Sequence, residues 1–361
     1  MKIEQSELKD LMAVVKITIE PADYQDEVAK QLKEVRHKAQ MPGFRPGMVP
    51  AGLVKKMYGK GILADVLNKL VGENLQKHIE EKNLQILGEP LPNDAETKNI
   101  DLDHEDTFTF AFDIAVAPEF DAKLNGKNKL PEYTIEPTDE MVQKQVEAYT
   151  NRFGEYIPAD EEKGIKAEVK PCKVDAELFA KVYGDNAPKD EKEFRARIKE
   201  DIERSLAEES KYRFGIDVKE AILKKMEKVA FPEDFLKRWV LATNEKMTQE
   251  ELDKDFPKMI EELKWHLAKD QLMKEHNIDV KPEEVEEFAK RIAKMQFMQY
   301  GLMNVEDEML ANYAQEMLKQ ENQLRGIVER LIEDKIYAAV KGIAKIEPKT
   351  ISQEDFDKLF Q

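Results

Sequence analysis

Gln40-Met41-Pro42-Gly43-Phe44-Arg45-Pro46-Gly47-Met48-Val49-Pro50 is the stretch around which the rest of the chain falls into place. It holds two glycines and three prolines in eleven positions, so neither a helix nor a strand runs through it. Gly43 and Gly47 permit a tight, left-handed backbone. The prolines remove much of the remaining freedom, so the loop's shape is largely preset. Between the glycines stand an aromatic ring, Phe44, and a guanidinium, Arg45. A stiff loop that pushes both into solvent has the layout of a docking plug. Arg45 can grip a phosphate or carboxylate in forked geometry, and Phe44 can fill a pocket or stack on a base. An ordinary turn between two helices fits the same residues, and on the Gly43-Phe44-Arg45 triplet alone both readings stand.

On the N-terminal side of the loop, Leu11 to Ile19 is β-rich and places Val15, Ile17 and Ile19 on one face. Pro21-Ala22-Asp23-Tyr24 opens a helix, with Asp23 as the expected N-cap, that runs to about Ala39. On the C-terminal side, Val49-Pro50-Ala51 begins a helix expected to stop near Tyr58, before Gly59. A further helix covers Ile62 to Lys82. Gln85-Ile86-Leu87-Gly88 is a weak strand. Thr107 to Val116 is a strong one, with Phe108, Phe110, Phe112 and Ile114 on one side. These elements describe a small α+β domain with an antiparallel sheet over residues 1–130.

The pattern then changes. From Thr138 onward helical periodicity dominates, and only Ile165 to Val174 is ambiguous as a strand. Helices are expected from Asp190 to about Lys228, from Pro232, from Thr248 to Glu275, from Pro282 to Tyr300, and from Asp307 to Val340. Asp190 and Glu193 supply the acids favoured at a helix start. Gly326, inside the last helix, costs about 1 kcal/mol there. Residues 131–173 read as a helix and a short linker, and residues 174–361 as an extended all-α domain with helical arms.

Composition narrows the function. Of 361 residues, 57 are Lys or Arg and 74 are Asp or Glu, a formal net charge of -17. So acidic a surface does not coat nucleic acid as a whole, and any RNA contact must come from a local basic patch. The single cysteine, Cys172, allows no disulfide within the chain and no Cys-based zinc site. The five histidines form no HExxH and no close pair, so no metal is expected. There is no GxSxG and no Walker loop, and Gly59-Lys60-Gly61 is too short to cradle a phosphate. No catalytic residue and no cofactor is nominated. No apolar run reaches about 18 residues and the N-terminus carries acids instead of an apolar core, so no membrane partner is expected and the cytoplasm is the expected compartment.

Gly43-Phe44-Arg45-Pro46-Gly47-Met48-Val49-Pro50 resembles the ribosome-binding signature G-F-R-x-G-x-x-P of the trigger factor family, which lies between the first two helices of that family's head domain. The resemblance continues through Leu63-Ala64-Asp65-Val66-Leu67, Leu87-Gly88-Glu89-Pro90, Pro282-Glu283-Glu284-Val285 and Val340-Lys341-Gly342-Ile343-Ala344, and so covers nearly the whole chain. It implies an α+β ribosome-binding domain followed by an all-α chaperone domain. It also implies an ATP-independent chaperone that docks through Gly43, Phe44, Arg45, Pro46 and Gly47. The partners would be large-subunit protein and RNA near the exit tunnel, nascent and unfolded polypeptides, and, off the ribosome, a second copy. Pro46 and Met48 stand where many members carry lysines; Lys55, Lys56 and Lys60 lie close by. Ala159 to Lys173 reads as a linker where family members commonly carry a prolyl isomerase domain, so no isomerase is expected. Two alternatives stay open: a holdase or assembly factor with weak or no ribosome binding, and a residual isomerase.

Client contacts are sought among flexible apolar side chains, because a chaperone's clients share only exposed apolar surface. Met295, Phe297, Met298, Tyr300 and Met303 crowd one short segment. Phe231 and Phe235 are further candidates. The same spacing of Met295, Met298 and Leu302 fits the core of a helical hairpin.

Overall fold

The computed structural model of the chain describes residues 1–39, 42, 44, 48–97, 100–102, 106–157, 168–299, 302 and 305–360. A four-stranded antiparallel sheet opens the fold, in the order β1 (Lys2–Gln5), β2 (Met12–Ile19), β4 (Phe108–Ala115) and β3 (Leu91–Pro92). Val15, Ile17 and Ile19 of β2 pair with Phe112, Phe110 and Phe108 of β4 and are fully buried, as their alternation predicts. Phe108 and Ile114 are buried on that same face, with Phe110 and Phe112 packed beside them. Helices α1 (Pro21–Lys38) and α2 (Ala51–Glu81) cover the face, α2 through Val66, Leu67, Val71, Leu75 and Ile79.

Three local expectations change. The N-cap of α1 is Glu20; Asp23 sits three residues on and accepts the Glu20 N–H at 2.9 Å, one half of a capping box. That hydrogen bond is the largest influence holding the Asp23 carboxyl below the usual carboxylate range. The expected break at Gly59 is absent, and α2 runs through Gly59 and Gly61 as one helix of 31 residues. Two glycines cost about 2 kcal/mol together, less than the helix regains by burying Val54 on one side of them and Ile62 and Val66 on the other. The weak strand at Gln85–Gly88 shrinks to a bridge between Ile86 and Val116, and pairing moves to Leu91–Pro92.

Downstream of β4 the chain is mainly helical. α3 (Asp139–Arg152), α4 (Ala176–Tyr183) and the start of α5 (Glu191–Lys225) enclose a core of Val142, Val146, Phe179, Phe194 and Ile198, with the Phe179 and Phe194 rings 4.5 Å apart. Asp190 caps α5 by accepting the Glu193 N–H at 2.8 Å, as its sequence suggests. The ambiguous segment contributes one short strand, β7 (Glu168–Lys170), which pairs antiparallel with an unexpected β6 (Glu155–Ile157) as a short hairpin. The residues between those strands, and with them most of the expected linker, lie outside the described residues. Gly154 is required at the mouth of this hairpin, because a Cβ there would stand 2.4 Å from the Lys170 carbonyl oxygen.

After α6 (Glu233–Thr243) and α7 (Gln249–His276), the expected helix from Asp307 to Val340 is broken at Gln320. α8 (Pro282–Gln299), α9 (Asp307–Lys319) and α10 (Glu321–Lys341) pack together around Ala289, Ala293, Leu310, Ala314 and Leu331. The helical part also carries a parallel strand pair that the sequence does not announce. β5 (Lys129–Ile135) pairs with β8 (Lys345–Ile351), Leu130 beside Ile346 and Ile135 beside Ile351. β8 holds Pro348 and two lysines in seven residues, and its partner lies far upstream, so no local alternation marks it. A short helix, α11 (Gln353–Asp357), follows and buries Phe356.

The chain divides into two compact units. The first comprises Met1–Phe120 with Lys228–Ile260, the second Asp121–Glu227 with Glu261–Gln361. The first unit therefore takes α6, which belongs by sequence to the helical part. Within that unit Trp239 of α6 lies against Gly88, and Arg238 pairs with Asp113 of β4 at 2.9 Å. Among the described residues no helix is long and apolar enough to cross a membrane.

Candidate functional site

The loop between α1 and α2 starts and ends on buried side chains. Ala39, Val49 and Val54 are buried together, with Leu32, Val35 and Leu53 packed against them. Ala39 closes α1 by donating its N–H to the Val35 carbonyl at 2.7 Å, and Pro50 opens α2 by accepting from Leu53 and Val54. The Arg36 side chain, from the last turn of α1, donates its Nε–H to the Val49 carbonyl at 2.8 Å. Both ends of the loop are thus pinned to one apolar cluster.

Between these ends Phe44 is 42% exposed and Met48 68% exposed, so an aromatic ring and a thioether are presented to solvent. Gly43, Arg45, Pro46 and Gly47 lie outside the described residues. Residues 35–64 carry six Lys or Arg and no Asp or Glu, in a chain whose net charge is -17. Lys38 at the end of α1 and Lys55, Lys56 and Lys60 at the start of α2 are all exposed. A basic segment with no acid in its sequence, carrying an exposed aromatic, is chemically suited to a phosphate-bearing surface that also offers an apolar pocket. Sequence reasoning finds the three lysines of α2 but misses Arg36. Its role needs the knowledge that Val49, thirteen residues on, returns to the end of α1.

The client candidates separate. Phe235 is fully buried, with the Arg238 guanidinium 5.8 Å from its ring centre, so in this fold it is a core residue and offers no contact to a client. Phe231 is half-buried. Met295 and Met298 are exposed on α8, 56% and 42% respectively, and the core of that helix is built by Val285, Ala289 and Ala293 instead. Phe297 turns inward, and its ring meets Tyr313 of α9 edge-on at 5.1 Å. Tyr300 and Met303 lie outside the described residues. Tyr313 also donates its hydroxyl to Gln296 at 3.1 Å, which carries the α8 surface onto α9. Met309 and Tyr313, four residues apart and exposed, extend it; their i, i+4 spacing is the signal that sequence reasoning passes over.

A separate groove of about 580 Å³ lies between β5, α5 and α10 in the second unit. Leu206, Phe214 and Tyr337 supply apolar surface, and the ion pairs Lys211–Asp334 and Lys341–Glu132 stand among its lining side chains. Burial pushes the Tyr337 hydroxyl well above its usual range, so it stays neutral. Among the described residues no three His, Cys, Asp or Glu side chains converge as a metal cluster.

Comparison with known proteins bears on both parts of the chain. Residues 1–149 match the family described as bacterial trigger factor protein, and residues 210–360 match the family described as probable trigger factor, C-terminal domain. Together the two matches span well over half of the chain. The trigger factor of Maricaulis maris is 29% identical over 169 residues, 46% of this chain and 32% of that protein. The trigger factor of Brucella anthropi is 28% identical over 171 residues, 46% of this chain and 35% of that protein. The chain thus spans about a third of the length of the curated relatives it matches. A solved structure, from work on promiscuous substrate recognition in folding and assembly activities of the trigger factor chaperone, superposes with a TM-score of 0.52. That likeness covers 94% of this chain and 99% of the other at 13% identity, and establishes a shared fold.

Proposed function

Because the chain belongs to the trigger factor family, we propose that it is an ATP-independent chaperone that docks on the ribosome near the exit tunnel and holds nascent or unfolded polypeptides in the cytoplasm. The observation that carries the docking half is the braced loop: Phe44 exposed between two pinned ends, inside a stretch with six cations and no acid. Gly43, Phe44, Arg45, Pro46 and Gly47 form the plug, engaging ribosomal protein and RNA. Docking keeps the helical part close to the emerging chain and raises its effective concentration there. The α8–α9 surface of Met295, Met298, Leu302, Met309 and Tyr313 then makes many weak apolar contacts, which delay aggregation of a chain that has not yet buried its own surface. Release needs no nucleotide, since each contact is small and the client withdraws its apolar groups as it folds.

Pelleting with ribosomes tests docking. Wild-type protein co-sediments at low salt, and Arg45→Ala weakens this at least tenfold; equal co-sedimentation of the two removes the docking claim. Holding is tested separately by the aggregation of a denatured client, and no suppression at equimolar ratio would remove the chaperone claim. Pro46 and Met48 favour a second reading, a holdase with weak ribosome binding, because two positions that many relatives fill with lysine carry no charge here. Binding confined to the lowest salt would favour that reading.

The chain is further proposed to lack prolyl isomerase activity. Residues 150–209, between the two family matches, contribute the β6–β7 hairpin, α4 and the first half of α5, and α4 and α5 share a core with α3. A proline-containing peptide should isomerise at its uncatalysed rate in the presence of the protein, and acceleration above that rate would overturn this.

A further inference from the structure

We propose that Arg36 is the positioning residue of the docking loop: it acts by the hydrogen bond that ties the loop's end to α1, and its charge makes no contact with the partner. The proposal rests on the docking reading above and assigns a role to a residue outside the signature. Five cations of the acid-free stretch 35–64 lie on the loop or on the exposed sides of its two helices, Lys38, Arg45, Lys55, Lys56 and Lys60, and the described ones face solvent. Arg36 differs. It is half-buried, and its Nε–H is spent on the Val49 carbonyl at 2.8 Å. Val49 itself is fully buried, between Ala39 and Val54. The bond joins two points thirteen residues apart in sequence, so it closes the ring of chain that contains the loop.

The physical consequence is preorganisation. A loop of this length pays ordering entropy when it docks unless its ends are already held together. The apolar cluster holds the side chains of those ends, and the Arg36 bond fixes the backbone carbonyl at which the chain turns into α2. Losing a single hydrogen bond of this kind costs a factor of about five to ten. A group that touches no phosphate leaves the salt dependence of binding unaltered, whereas each phosphate contact removed lowers the logarithmic slope by about 0.7–0.9.

The test uses the full chain and two replacements. Glutamine carries its amide nitrogen at the same position along the side chain as the arginine Nε, so Arg36→Gln keeps the donor and discards the charge. Arg36→Ala discards both. Ribosome pelleting is measured between about 50 and 300 mM salt, a range over which phosphate contacts change affinity strongly. The expected result is a five- to tenfold loss for Arg36→Ala at every salt concentration with an unchanged slope, and near wild-type binding for Arg36→Gln. Wild-type affinity in Arg36→Ala overturns the proposal. Equal weakening of both variants with a shallower slope also overturns it, since Arg36 would then be touching phosphate.

A second readout needs no ribosome. Chymotrypsin cleaves after Phe44, and the rate, followed by fragment mass, should rise about fivefold in Arg36→Ala and stay near wild type in Arg36→Gln. If the wild type fails to pellet, the docking reading fails and this cleavage series still decides whether Arg36 holds the loop. Unchanged cleavage in Arg36→Ala overturns the positioning role. Thermal melts of both variants accompany these measurements, and a melt of Arg36→Ala matching wild type separates loop loosening from unfolding.

Discussion

Gly88→Ala is expected to destabilise the first unit by about 3 kcal/mol, lowering its melting temperature by about 6–12 °C for a unit of this size. Two costs combine. Gly88 sits at φ +72°, a conformation that a Cβ makes unfavourable by about 1–2 kcal/mol. The added carbon would also stand 2.7 Å from Cδ2 and 2.9 Å from Cγ and Cε2 of Trp239. These are atoms of a rigid indole, so the ring or the backbone must move. Trp239 Nε1 is buried without a hydrogen-bond partner among the described residues, so packing dominates the hold on the ring; once displaced it gains hydration, which keeps the cost finite. The measurement is a thermal melt with Trp239 fluorescence read in a Trp265→Phe background, where Gly88→Ala should shift emission to the red. Gly326→Ala is the control. A Cβ at Gly326 meets nothing within 4 Å and the residue is inside α10, so that change should stabilise by up to about 1 kcal/mol. A Gly88→Ala melt as high as wild type would mean that α6 does not need its seat on Gly88.

This contact shows where sequence reading succeeds and where it stops. β2 and β4 are legible because their alternation is local: Val15, Ile17 and Ile19 reveal their common face with no knowledge of a partner. The start of α5 is legible for the same reason, Asp190 and Glu193 being three residues apart. What fails is long-range. β8 pairs with a strand more than two hundred residues upstream, and α6 joins a unit whose first segment closes at Phe120. Gly59 shows a different failure, a local rule overridden by tertiary burial: Ile62 and Val66 keep α2 intact through two glycines. The docking loop is legible as composition and as a family signature. The Arg36–Val49 bond that braces it is not, because an arginine near a helix end usually serves solvent or the helix dipole. The client surface was half-legible. Methionine richness points to Met295 and Met298, while Phe235 has the same composition signal and the opposite burial.

Arg213→Ala is expected to cost the second unit about 3–5 kcal/mol, with a fall in melting temperature of roughly 10 °C. Arg213 and Asp217 are nearly buried on α5, and the guanidinium holds one Asp217 oxygen through both NH2 at 2.6 Å and Nε at 3.0 Å. Its NH1 reaches the Leu359 carbonyl at 2.7 Å, and the Phe360 ring lies 5.6 Å away. Burial pulls the Arg213 pKa down, but the Asp217 carboxylate more than offsets this and leaves it above the ordinary guanidinium value. Arg213 thus fastens the segment after β8, whose Phe356 is buried against Tyr133, Ile135 and Leu206. Truncation strands the carboxylate of Asp217, whose second oxygen already has no partner among the described residues, and frees the segment from α5. The penalty of a broken buried pair comes mostly from the charge left behind. The double variant Arg213→Ala/Asp217→Ala should therefore melt higher than Arg213→Ala alone, although it has lost more atoms. If the double variant melts lower than the single one, the stranded charge is not the source of the loss, and the fastening of Leu359 and Phe360 must carry it instead.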